Sequence, residues 1–107
     1  MNRPNTRFGK WLHFVDTANS KEDLFPSAGC ESIEVTNANT LILYFEHSGD
    51  NPAHFVTMTA TGAASSVAAI MADYVWGSNT GKASTYKFEV ATGRLQDVSV
   101  ITNTPSA

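Results

Sequence analysis

Apolar and polar residues alternate along this chain in short runs of strand length, interrupted once by a helical period. The densest run is Thr40–His47, where Leu41, Leu43 and Phe45 fall on one side and Ile42 and Tyr44 on the other. A strand apolar on both faces needs a cover on each, and the pattern offers only one helix to supply it. Phe8–Asp16, with Trp11, Leu12, Phe14 and Val15, predicts a first strand of the same doubly buried kind. Asn19–Gly29 breaks the pattern at Ser20, Pro26 and Gly29 and reads as a loop, with one short turn around Glu22–Phe25.

Ser32–Thr36 sets Ile33 and Val35 against polar neighbours, which predicts a half-exposed strand. Asn37-Ala38-Asn39 then turns the chain, because Asn tolerates left-handed backbone and hydrogen-bonds its own main chain, and Thr40–His47 returns antiparallel. After the Ser48–Pro52 loop, Ala53–Ala60 gives a fourth strand with Val56 and Met58 on one face and Phe55, Thr57 and Thr59 on the other. Val67, Ile70, Met71, Tyr74 and Val75 follow at helical spacing, a single apolar stripe. Thr61 or Ser65 is the expected cap, and Gly77 the expected left-handed stop. Ser84–Val90 and Leu95–Ile101 complete the set as a predicted hairpin across Ala91–Arg94, with Gly93 at positive φ.

These elements predict an α+β fold: a mainly antiparallel, curved sheet or small barrel of five or six strands, with one helix between strands four and five. The 107 residues are expected to form a single domain with polar, mobile ends at about 1–6 and 103–107. Barrel closure and homo-oligomerisation are two outlets for the same surplus of apolar strand surface. The residues expected at such an interface are Trp11, Phe14, Ile42, Tyr44, Val56 and Met58.

Composition narrows the function classes. Charged residues make up only 16% of the chain, and twelve Thr, ten Ser and eight Asn supply the polarity instead. A formal net charge of -3 gives no basic footprint for a phosphate backbone, so no nucleic-acid partner is expected. There is no membrane-length apolar run, and Met1–Lys10 lacks the apolar core of a signal peptide, so the expectation is a soluble protein made in the cytoplasm.

Five constellations were weighed for chemistry. Cys30 is the only cysteine, which excludes an intrachain disulfide and a thiolate zinc cage. Paired with a histidine it would resemble a nucleophile, but the neighbouring Glu31 raises a thiol pKa, the wrong direction. Glu46, His47, Asp50 and His54 flank one loop without matching a zinc spacing, and a solvated loop accounts for them. Gly77–Ala83 has a faint likeness to a phosphate-binding loop, but its glycines are one residue too close, Ala83 replaces the magnesium-binding hydroxyl, and a helix precedes it. Trp11, Trp76, Tyr44, Tyr74 and Tyr86 are the aromatics available to line a carbohydrate or peptide groove, with His13 and Trp76 the candidate ligand contacts. His13 at a subunit contact would also loosen that contact on protonation. No catalytic residue, cofactor or metal site is assigned.

The order of Thr40–His47, polar loop, His54–Ala60 and the Ala-rich helix Ser65–Val75 resembles small, uncharacterised proteins of marine tailed phages (cyanophage-like), which pair a TLxLYF-like strand with a second strand and such a helix. The resemblance covers about half the chain and implies a phage or environmental origin, with the virion as the expected destination of a phage protein, and no site residues. The sequence therefore predicts a non-enzymatic, oligomeric structural or assembly protein. The alternative is a small-molecule or carbohydrate-binding module with its pocket at the helix–sheet or subunit interface.

Overall fold

The computed structural model describes residues 10–45, 54–77 and 85–105. Seven strands and one α-helix follow in the order β1 (Trp11–Asp16), β2 (Lys21–Pro26), β3 (Cys30–Asn37), β4 (Thr40–Phe45), β5 (His54–Ala60), α1 (Ala64–Trp76), β6 (Thr85–Phe88) and β7 (Val98–Pro105). They build two sheets, one of three strands in the order β2-β1-β6 and one of four in the order β3-β4-β5-β7. All pairings are antiparallel except β1 with β6. The fold is α+β as the pattern implies, but the sheets do not close into a barrel.

Alternation decides which faces are buried. Leu12 and Phe14 of β1, Leu41, Leu43 and Phe45 of β4, and Val56, Met58 and Ala60 of β5 all point inward and are essentially inaccessible. The inner faces of the two sheets meet through aromatic rings. Phe25 stacks on Phe45 at 4.2 Å between centroids, and Phe14 meets Phe45 edge-on at 5.9 Å and stacks on Phe88 at 5.1 Å. The helix covers the rest of the four-stranded sheet with Ala64, Val67, Met71 and Val75, and reaches the smaller sheet through Tyr74 against Phe88. The other face of β4, expected to need a cover of its own, is only half-buried at Ile42 and Tyr44. One-sided burial satisfies the core, which is why no barrel forms.

Three elements depart from the sequence reading. Lys21–Pro26 is a strand and not a loop, pairing residue for residue with β1 from Asp16↔Lys21 to Trp11↔Pro26. Its inward set is Lys21, Asp23 and Phe25, so two charges mask the alternation, and it is an edge strand, where Pro26 and charges are tolerated. The helix accordingly sits between strands five and six. Residues 85–101 do not form a two-stranded hairpin: β6 turns away to pair in parallel with β1, while β7 joins β5. The Ala91 N–H donates to the Val98 carbonyl between these two stretches, and Gly93 takes the positive φ expected of it. β7 also runs on through Asn103 to Pro105, within the stretch read as a polar tail.

The helix ends are solved by the backbone. No side chain caps the start; the Ala64 N–H donates to the Ala38 carbonyl at 2.8 Å, so the β3–β4 turn acts as the cap. That turn is shaped by Asn39 N–H donating to Asn37 Oδ1 at 2.9 Å, the local Asn bonding that the sequence suggests. At the other end Gly77 has φ of -68°, not the left-handed geometry expected of it. Glycine is required for room: a Cβ there would lie 2.3 Å from the Asp73 carbonyl oxygen.

A polar clasp joins the sheets beside the aromatic rings. The fully buried Asp16 carboxylate on β1 accepts from the Asn103 N–H on β7 at 3.0 Å and from the Asn19 side chain and backbone at 2.9 and 3.1 Å. Asn103 Nδ2 in turn donates to the Phe14 carbonyl at 3.0 Å. Burial alone would raise the Asp16 pKa, but the hydrogen bonds from Asn19 and Asn103, with the Lys21 charge, hold it below the ordinary carboxylate value.

Two stability predictions follow from these contacts. Gly77→Ala should destabilise the fold by about 1–3 kcal/mol through overpacking, read as a lowered thermal midpoint; an unchanged midpoint would contradict the close approach. The folded pKa of Asp16 lies below its unfolded value, so the ionised form stabilises above about pH 4 and that stabilisation fades as pH falls through the folded value. Asp16→Asn should therefore cost about 1–3 kcal/mol at neutral pH and lose less stability than the parent on acidification. Urea titrations from pH 7 to pH 2 measure both, and parallel acid profiles would rule out the clasp.

Candidate functional site

Each sheet keeps an outward face after core formation. On the four-stranded sheet, cross-strand pairing places Ser32, Tyr44, Phe55 and Thr104 in one row and Glu34, Ile42, Thr57 and Thr102 in the next. Thr40, Thr59 and Val100 continue the surface. Glu34 is the only charge in those positions, and it is tied down by the Tyr44 hydroxyl, which donates to Glu34 Oε1 at 3.0 Å. That hydrogen bond, followed by partial desolvation and the carboxylate charge, raises the Tyr44 pKa above its ordinary value. Tyr44 and Phe55 lie side by side across the strands, 6.0 Å between ring centroids. β-Branched and aromatic side chains are what a pleated, half-exposed surface favours, so local strand propensity and surface character coincide here.

On the three-stranded sheet the outward rows are Pro26, Trp11 and Thr85, then Leu24, His13 and Lys87. Trp11 is 46% exposed and Leu24 50%, two large apolar side chains on one small face. His13 Nε2 lies 2.6 Å from Glu22 Oε1, a local pair across β1 and β2.

The structure divides the six interface candidates. Phe14, Val56 and Met58 face inward and are wholly buried in the core, because their strand parity is that of Leu12 and Leu43. Ile42 and Tyr44 share the outer face of the four-stranded sheet, and Trp11 lies on the other outer face. Leu24, Phe55 and Val100 belong to these surfaces and were not singled out from sequence. Phe55 was legible from its parity with Thr57; Leu24 was hidden with the strand that carries it.

The aromatics do not assemble one groove. Trp76 is exposed at the end of α1, while Tyr74 and Tyr86 contact each other at 5.0 Å beside Phe88. The expected pocket between helix and sheet has no counterpart in the two clefts that flank the β1–β2 turn. One, about 270 Å³, is lined by Thr17, Ala18, Val90, Ser99, Val100 and Ile101; the other, about 290 Å³, by Val15, Asp16, Thr17, Ser20, Lys21 and Glu22. Neither includes an aromatic ring or a residue of α1.

The candidate chemistry thins out further. Cys30 is buried, its Sγ 3.7 Å from the Ser32 carbonyl, and its pKa is pushed up to about 11, chiefly by burial, with a smaller push from Glu31. Of the four loop residues weighed as metal ligands, Glu46, His47 and Asp50 lie outside the described residues; His54 packs 5.8 Å from the Phe25 ring. Among the described residues no group of three or more His, Cys, Asp or Glu side chains could hold a metal. Residues 78–83 of the loop weighed for phosphate binding also lie outside the described residues. Among those described, no helix is long and apolar enough to cross a membrane.

No family model, curated protein or solved structure matches this chain.

A thiol raised to about 11 and buried exposes almost no thiolate at neutral pH. Native protein should therefore react with iodoacetamide at pH 7 more than about a hundredfold slower than a free thiol, and at the ordinary rate once unfolded in urea. Rapid alkylation of the native chain, measured by mass spectrometry, would overturn this placement.

Proposed function

We propose that this chain is a non-enzymatic structural or assembly subunit that associates with copies of itself through its outer sheet faces. The observation that carries the reading is the four-stranded sheet's outer face, where Ile42, Tyr44 and Phe55 are held out of the core among Ser and Thr with a single charge nearby. Solvent-facing sheet surfaces ordinarily carry a clean polar alternation, and apolar surface left on one is the usual signature of an interaction site. Cys30, the nucleophile candidate, is buried with its pKa pushed up to about 11, which does not favour a thiolate mechanism. The resemblance to small tailed-phage proteins fits the same reading, with a virion or its assembly as the setting.

A second reading has one observation in its favour. Tyr44 and Phe55 are adjacent, half-exposed rings flanked by threonine hydroxyls and the Glu34 carboxylate, which are groups that stack on and hydrogen-bond to a sugar. The two rings are inclined at 46°, so they offer two short platforms and not one flat strip.

Light scattering on a sizing column over a hundredfold concentration range should give a mass above the 11.5 kDa monomer. Ile42→Lys places a charge in the middle of the face and should weaken association by about tenfold or more while leaving the circular dichroism spectrum unchanged. A monomer at every concentration would end the assembly reading, and glycan-array binding lost on Tyr44→Ala would then favour the second.

A further inference from the structure

We draw no further inference here: the strongest candidate, the outward face of the four-stranded sheet around Ile42, Tyr44 and Phe55, carries nothing further because nothing in the structure shows what covers it.

Discussion

The structure depends on the contact of Phe14 and Phe25 with Phe45, the point at which one sheet is laid on the other. Phe25 comes from the edge strand β2, Phe14 from the centre of the three-stranded sheet and Phe45 from the end of β4, so the β1–β2 hairpin meets a strand of the other sheet there. Phe88 extends the stack to β6, and Tyr74 links it to the helix. Rings of this size each bury enough area to outweigh several hydrogen bonds, and their tilted and stacked geometries add to that. Once the rings are engaged, strand parity fixes every other position: residues in phase with them enter the core and the alternate set must face outward.

The Asp16 clasp has a different role. Its carboxylate contributes orientation where the rings contribute area, because hydrogen bonds to Asn19 and Asn103 fix the register of β1 against β7 although no backbone ladder runs between them. A buried charge is retained only when its partners offset the loss of water, and here three donors and a nearby Lys21 do so. Apolar rings and polar clasp together explain how two small sheets hold one mutual orientation without merging into a continuous barrel.

The helix, the β3–β4 hairpin and the inward residues of β4 and β5 were legible in the sequence because their periodicity was undisturbed. The edge strand β2 was not, since Lys21 and Asp23 stand at inward positions and point to the sheet margin, where their charges stay hydrated. The parallel pairing of β6 with β1 was hidden for another reason: a parallel partner is chosen by long-range packing, here Phe88 against Phe14, and leaves no local turn signal. The interface candidates divide by face: Phe14, Val56 and Met58 are core, while Trp11, Ile42 and Tyr44 face outward. A strand apolar on both sides announces surplus surface without saying which side the core will take, and only the docking of the helix decided that Val56 and Met58 go in while Ile42 and Tyr44 stay out.

Threonine settles how such a face can exist at all. An outward surface built from Ile, Val and Phe alone would stick indiscriminately, and one built from Lys and Glu would repel a copy of itself. Thr40, Thr57, Thr59, Thr102 and Thr104 keep the β-branched shape that the central strands favour and add a hydroxyl that water can satisfy in the free chain. Such a surface costs little to expose and, carrying almost no charge, little to desolvate when a partner covers it. The low charge is therefore not evenly spread: among the described residues, the ion pairs Lys21 with Asp23, Lys87 with Glu89 and Arg94 with Asp73, and the His13–Glu22 contact, lie away from the outward face of the four-stranded sheet.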